Sequence, residues 1–301
     1  VFGKELMTPA PEPYFNIRWV LPEDFEPYRN YANVVIASLT TPADSTGDVL
    51  VRHILGEERL AESKAGGNPI FVTSDFLARG QMFMGLVASD AIHAQAEINR
   101  LSTWIYDQFD QQMRIRQERF VYRYAPEREL VKEFEEKYDF NLRIQRDYLK
   151  IKEIPDKNFV WLGKGFPYRW IGIHWVDNAD SIVITRENAW EQNNLIADEL
   201  FGDVYIDSLY QSTELGVEND HEIMILRGVW AHKEQTAGGP FFTYIFRDRE
   251  QNRIYYVMGL VFNPGGSKAL LIKRQELIIR SFHTFKNRPV HKKVTRADSV
   301  A

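Results

Sequence analysis

The carboxylates and histidines of this chain are the first candidates for chemistry. Asp177 and Asp180 lie three residues apart in the segment VDNADS, and a pair of carboxylates could provide the acid and base of a hydrolase. Asx-turns in a loop explain the same pair equally well. His174 lies inside the apolar segment WIGIHWV, where a structural histidine is the simpler interpretation. We therefore assign no catalytic residue from the sequence.

Metal and phosphate sites are the next possibility. The chain has no cysteine, which excludes thiolate nucleophiles and zinc–thiolate sites. His221 and His232 share one region, but they fall near opposite ends of one predicted strand, about 35 Å apart. The segment Gly163–Gly165 could approach a phosphate, yet no helix N-terminus follows it to hold the anion, so a turn is favoured. The sequence predicts neither a metal nor a cofactor.

Two groups of basic residues could bind anions. The first follows the apolar stripe of a predicted long helix, where arginines also complement the helix dipole: Arg114, Arg116, Arg119 and Arg123. The second is a basic tail over residues 286–301, which we expect to bind an acidic protein surface or anionic lipid headgroups: Lys286, Arg288, Lys292, Lys293 and Arg296. Docking of this tail on the acidic body of its own chain is the alternative.

The composition defines the class of protein. The 301 residues are 44% hydrophobic and 26% charged, as in an ordinary globular chain that can bury a large core. The formal net charge of -5 argues against a general nucleic-acid binder, which needs a basic face. The longest apolar run, residues 254–262, is shorter than the ~20 residues of a membrane helix.

The apolar patterning predicts an α+β fold of mainly antiparallel sheets packed by helices. The N-terminal half has predicted strands at 15–21, 34–39 and within 68–88, then a helix capped by Asp90 and a second helix at 127–138. In the C-terminal half, residues 241–246 and 254–262 are apolar on both faces, which predicts central strands. Predicted helices at 185–201 and 267–285 would cover this sheet.

This pattern gives two predicted α/β domains, the second a three-layer sandwich. We place the N-terminal domain at residues 1–139, the C-terminal domain at 140–285 and the tail at 286–301. The first domain begins at Val1 rather than at a methionine. The N-terminus therefore looks truncated, and a targeting segment would precede it.

Several segments resemble a bacterial family described as domain of unknown function 4837. The most specific are an R-G-x-W element at 227–230, a G-G-P-F element at 238–241 and an N-R-I turn at 252–254. The resemblance extends over nearly the whole chain up to Phe285. More loosely, the C-terminal half is similar to sandwiches of the PsbP type, which are used for binding and assembly.

The resemblance implies an envelope lipoprotein of Gram-negative bacteria, with a lipid-anchored cysteine before Val1. It provides no catalytic residue to transfer. We therefore expect a non-enzymatic lipoprotein of the cell envelope, on the periplasmic or surface face of a membrane, that acts as a binding or scaffold subunit of a larger assembly. The alternatives are a hydrolase of envelope glycans or peptides, and a carrier of a small apolar ligand.

Overall fold

The computed structural model of the protein describes residues 1–40, 45–65, 67–218 and 221–284. The chain divides into two compact units, the first of residues 1–5 and 13–120 and the second of residues 6–12 and 121–301. Two short strands, β1 (Glu5–Leu6) and β2 (Glu12–Pro13), pair where the division falls. The predicted boundary after residue 139 lies within the second unit, and the independence of the predicted domains stays a prediction.

The first unit is built on a three-stranded sheet. Its strands are β3 (Asn33–Leu39), β4 (Ile70–Ser74) and β5 (Met82–Ala88), and its helices are α1 (Ser45–Leu55), α2 (Glu57–Lys64) and α3 (Ala91–Val121). The central strand β5 runs parallel to β3 and antiparallel to β4, and all seven of its residues are buried. As predicted, Asp90 caps α3, because its Oδ1 accepts the backbone N–H of His93 at 2.8 Å.

The predicted strand at residues 15–21 is wrong. This segment has no regular structure and leads into short 3-10 turns at Pro22–Asp24 and Glu26–Tyr28. Phe15 packs against the core of the first unit, but Ile17, Trp19 and Leu21 point outward and are 60%, 92% and 61% exposed. Apolar alternation produces a strand only where a neighbouring strand supplies hydrogen bonds, and no described strand does so here.

The second unit is built on a seven-stranded antiparallel sheet, as predicted. In the order β10-β11-β12-β13-β9-β8-β7, its strands are β10 (Val204–Glu218), β11 (His221–His232), β12 (Gly238–Asp248), β13 (Arg253–Phe262), β9 (Tyr168–Asp177), β8 (Phe159–Lys164) and β7 (Leu149–Ile154). The helices are α4 (Arg128–Tyr138), α5 (Arg186–Leu195), which continues as a π-helix to Gly202, and α6 (Ala269–Ile279). A separate pair joins β6 (Phe140–Asn141) to β14 (His283–Thr284).

Helices cover the sheet on both sides, which makes three layers. On one side, called the α6 face here, α4 and α6 pack over a core that includes Phe242 and Tyr255. On the other, the α5 face, α5 and its π-helical extension pack over Phe241 and Tyr256. The strands β12 and β13 therefore present apolar residues to two cores, as their double-sided patterning predicts.

The predicted last helix is too long at its C-terminal end. The helix α6 ends at Ile279, and the chain then becomes extended so that His283 and Thr284 can pair with β6. Phe282 lies between these elements, only 6% exposed, and contacts Phe140 and Tyr255. Burial of this ring against the sheet outweighs the helical periodicity of the sequence.

Candidate functional site: an exposed edge strand

The two loop aspartates hold neighbouring segments together. Asp177 accepts hydrogen bonds from Arg253 Nε at 2.7 Å and from Asn158 Nδ2 at 2.8 Å. Asp180 accepts one from Asn252 Nδ2 at 2.6 Å. Asp180 therefore contacts the turn that connects β12 and β13, and Asp177 contacts the first residue of β13. These contacts favour a structural role over a hydrolytic pair, although they join side chains of distant segments and are not the Asx-turns that the sequence suggests.

His174 is a structural histidine on β9. Its Nδ1 lies 3.1 Å from the carbonyl oxygen of Lys157 and 3.2 Å from that of Asn158, so this nitrogen must donate. Its Nε2 then accepts from Gln192 Nε2 at 3.3 Å. Burial lowers the pKa of the ring, which keeps it neutral. This network assigns the tautomer and fixes β9 to α5.

The helix arginines divide between structural contacts and the surface. Arg116 donates to the carbonyl oxygens of Ala32 at 3.2 Å and Gly80 at 3.0 Å, which secures two loops of the first unit. Arg114 pairs with Asp110 at 3.1 Å, and Arg119 is exposed. Arg123 lies in the second unit, near the basic residues treated below. The predicted tail residues lie outside the described part of the chain: Lys286, Arg288, Lys292, Lys293 and Arg296.

His221 and His232 lie at the two ends of β11, as their spacing predicts. Over the described residues, the histidine, aspartate and glutamate side chains form no group of three that could hold a metal ion. A cavity of about 30 Å³ lies beside His221, between the end of β10 and α6. It has room for about one water molecule, too little for a substrate.

The strand β10 forms one edge of the seven-stranded sheet. It is 15 residues long, and only β11 pairs with it among the strands that the structure describes. Its outer backbone N–H and C=O groups thus form an open row to which another strand could add. Apolar side chains lie along this edge: Leu209, Leu215 and Val217 are 84%, 79% and 70% exposed.

Side-chain contacts hold β10 rigid on the α5 face. The Nε1 of Trp190 on α5 donates to Thr213 Oγ1 at 3.0 Å. Leu215 and Val217 follow Thr213 at alternate positions and so lie on this same face. Leu215 is the ladder partner of Met224, which is part of the core beneath α5. The exposed side chains therefore begin where the contact with α5 ends.

Ion pairs hold β10 on the α6 face. Glu214 lies 3.4 Å from Arg227, which in turn lies 2.6 Å from Glu276 on α6. Glu218 pairs with Arg280 at 2.9 Å. Burial opposes the charge of Arg227, but the Glu276 and Glu214 carboxylates hold the pKa of its guanidinium above the usual value. The edge is thus a fixed template with an acidic face and an apolar face.

A bulge divides β10 into two parts. Its register against β11 shifts between Ile206 and Gln211. At this point the carbonyl oxygen of Tyr210 approaches Gly228 so closely that a Cβ there would collide with it. The glycine of the R-G-x-W element therefore makes room for the bulge. Beyond it, residues 211–218 run in continuous register with β11.

Sequence reasoning missed this site completely, because β10 was not among the predicted strands. The segment VYIDSLYQSTELGVE alternates only in its second half. One signal was available: the segment carries three acidic residues and no lysine or arginine, which is unusual for an exposed edge. Its position at the edge follows from strand order, which no local pattern specifies.

Comparisons with known proteins bear on the second unit. A family model described as "Domain of unknown function (DUF4837)" matches residues 127–281. No curated protein sequence matches the chain. Within the described residues, no helix has the length and apolarity needed to cross a membrane.

Among solved structures, the chain is similar to the Ran-binding protein Mog1p of Saccharomyces cerevisiae, with 11% identity, a TM-score of 0.34 and coverage of 49% of this chain and 90% of that one. A structure of a Mog1 mutant has 12% identity and a TM-score of 0.33, and the match covers 49% of this chain and 91% of that one. A crystal structure from Bacteroides thetaiotaomicron has 11% identity and a TM-score of 0.32, and the match covers 48% of this chain and 45% of that one. With TM-scores below 0.5, these similarities carry no argument about this chain, and what those proteins bind is not carried over.

Proposed function

This chain belongs to the DUF4837 family, and on that premise we propose that it acts as a non-enzymatic binding subunit of a larger assembly. The observation that carries the proposal is the open, apolar edge of β10. Monomeric proteins usually protect such an edge with charge, proline or a covering segment. A partner that adds a strand to β10 would pair the open backbone groups and bury the exposed side chains.

The chemistry of β10 specifies the partner. An added strand would place one set of alternate side chains beside Leu215 and Val217, and the other set beside Glu214 and Glu218. Apolar residues suit the first set and lysine or arginine the second. The occupant we propose is an extended segment of a different protein in which apolar and basic residues alternate.

A second copy of this chain suits the edge less well. A two-fold antiparallel pairing centred on Gly216 would set Glu214 of each copy opposite Glu218 of the other. Like charges directly opposite each other destabilise a strand pair. In that register, charge complementarity favours a basic segment of another protein over self-pairing.

The cellular context of this proposal comes from the resemblance of the sequence. We propose that the protein is a lipoprotein of the Gram-negative cell envelope, attached to a membrane by a lipid anchor outside the given chain. The similarity to PsbP-type sandwiches, which also serve binding and assembly, remains a prediction. The contacts of Asp177 and Asp180, the carboxylate pair considered for a hydrolase, favour a structural role, so we propose no second function.

Site-specific photo-crosslinking in cells that make the protein tests this proposal. A photoreactive residue replaces Leu215 in one variant and Leu149 in another, because these leucines are similarly exposed, at 79% and 71%, on opposite edges of the sheet. We expect an adduct from position 215 whose partner peptide, mapped by mass spectrometry, alternates apolar and basic residues. No adduct, an adduct to another copy of the chain, or equal adducts at both positions would overturn it.

A further inference from the structure

A cluster of positively charged side chains lies on the α6 face of the second unit, where β8 ends and β9 begins. Lys164 at the end of β8 and Arg169 near the start of β9 are direct ladder partners. Their side chains therefore project from the same face, and like charges in such a pair repel each other. Arg169 is only 7% exposed. The fold thus places a buried positive charge directly beside a second one.

Arg169 has little compensation for this burial. Its Nε donates to the carbonyl oxygen of Pro167 at 3.2 Å. Among the described ion pairs, none joins its guanidinium to a carboxylate. Burial accordingly lowers the pKa of Arg169. A buried charge usually has a charged or hydrogen-bonding partner, because desolvation without one is costly, and Arg169 lacks such a charged partner among the described ion pairs.

Tyr148 provides an independent sign of a missing ligand. This residue precedes β7 and is completely buried, yet its hydroxyl has no hydrogen-bond partner. Burial raises the pKa of the hydroxyl, so it remains protonated and can donate, and the charge of Arg169 acts on it. Buried hydroxyl groups are nearly always satisfied by protein, water or ligand.

The surroundings of Lys164 extend the positive charge. Its side chain is 19% exposed and contacts Asp147, which attracts it. Burial and the guanidinium groups of Arg169, Arg123 and Arg274 act against this attraction and lower the pKa of the ammonium group. Gly165 follows directly, and open space surrounds the position where its Cβ would be. A ligand could thus approach the backbone here, as the glycine-lysine-glycine segment suggests.

We propose that Lys164, Arg169 and Tyr148 form a binding site for an oxyanion of the phosphate class. The guanidinium group provides a planar pair of donors suited to two phosphate oxygens. The Tyr148 hydroxyl donates to the same group, and Lys164 contributes a nearby point charge. The ligand would compensate the buried charge and satisfy the orphan hydroxyl together. This site lies away from β10, and the inference does not rest on the proposed function.

Thermal unfolding and calorimetric titration with inorganic phosphate, against chloride at equal ionic strength, test the site. At a phosphate concentration ten times Kd we expect the Tm of the wild type to rise by about 3–6 °C. Arg169→Met should abolish this shift, while its Tm without phosphate stays equal or rises because a buried unpaired charge is removed. Tyr148→Phe should weaken binding by about 10-fold. Arg146→Met, a change at an exposed arginine, should bind as the wild type does.

A second arm separates free phosphate from a lipid headgroup. Vesicles of phosphatidylcholine with phosphatidylglycerol are sedimented with each variant. Binding to vesicles that needs Arg169, without a response to inorganic phosphate, assigns the site to a headgroup; the reverse assigns it to free phosphate. No binding in either arm, or binding by Arg169→Met equal to that of the wild type, would overturn the proposal.

Discussion

The two edges of the seven-stranded sheet differ in how their open backbone groups are protected from pairing with another strand. At the β7 edge, a strand of six residues carries Lys150, Lys152 and Glu153, with a bulge in the middle. Lys150 lies 2.5 Å from both Glu133 and Glu153. Although Leu149 and Ile151 are exposed, Lys150 between them and Lys152 after them must lose hydration before another strand can pair.

The β10 edge has less protection of this kind beyond its bulge. It is 15 residues long, carries no lysine or arginine, and runs without a bulge from Gln211 to Glu218. Two of its acidic residues, Glu214 and Glu218, are held on the α6 face by ion pairs with Arg227 and Arg280. Since both edges belong to the same sheet, this difference is the reason we propose β10, and not β7, as the edge that a partner strand would join.

Among the substitutions that test the two edges, loss of the Trp190 side chain should lower the free energy of unfolding most. This side chain is buried, and its Nε1 holds Thr213 of β10. We expect Trp190→Ala to lower the free energy of unfolding by about 3–5 kcal/mol in denaturant titrations. Trp190→Phe, which retains most of the volume, should lose much less. A loss below about 1 kcal/mol for Trp190→Ala would show that α5 does not stabilise this edge.

The second largest effect should be a loss of stability at low pH, which arises at the β7 edge. Hydrogen bonds from Lys150 and Tyr138 lower the pKa of Glu153 from 4.5 to about 2. A depressed folded-state pKa stabilises the protein above the unfolded value, so this contribution is lost as the pH falls from about 5 to 2. We expect a loss of about 2–3 kcal/mol from this group. Glu153→Gln should flatten the stability profile over this range, and an unchanged slope would contradict the role of the cluster.

A substitution at the bulge of β10 should have a smaller effect on stability, and a second glycine of the same strand provides a matched control. In Gly228→Ala the added Cβ meets the Tyr210 carbonyl and the Phe241 ring, so β10 must shift. We expect a loss of about 1–3 kcal/mol in unfolding free energy. Gly216→Ala adds a Cβ at ordinary contact distance from Ile223 and should change stability by about 0.5 kcal/mol or less. Equal losses would show that Gly228 has no special role in the bulge.

Charging the apolar edge should barely change stability. Leu215 and Val217 are mostly exposed, so Leu215→Lys with Val217→Lys should alter the free energy of unfolding by about 0.5 kcal/mol or less. The same double variant should prevent the addition of the proposed strand, because it sets lysines against the apolar side chains that the partner would place beside positions 215 and 217. A large loss of stability would mean that these side chains serve the fold of the isolated protein.

The sequence predicted the center of the sheet better than its edges. The two apolar faces of β12 and β13 and the Asp90 cap of α3 are local patterns, and the structure confirms them. The segment 15–21 and the strand β10 show the opposite: apolar alternation without a neighbour gave no strand, while a weakly patterned segment became a long one beside β11. Strand pairing depends on distant residues, so neither outcome could be read from the segment alone.

The basic cluster shows the same limit. The glycine-lysine-glycine segment at 163–165 was visible in the sequence, and Arg123 was among the candidate anion ligands. Arg169 and Tyr148 were not, because ladder pairing places the arginine beside Lys164 and folding buries the hydroxyl. A site assembled from a strand pair and a loop has no fixed sequence spacing.

Amide hydrogen exchange tests most directly whether β10 is the partner edge. Exchange is measured by mass spectrometry on the purified protein and on the protein in its native assembly, and peptides covering residues 209–218 and 149–154 are compared. We predict that assembly slows exchange in the β10 peptide at least about 10-fold, because an added strand engages its outer amides, while the β7 peptide is unchanged. Equal exchange of β10 in both states, or protection confined to β7, would contradict the account.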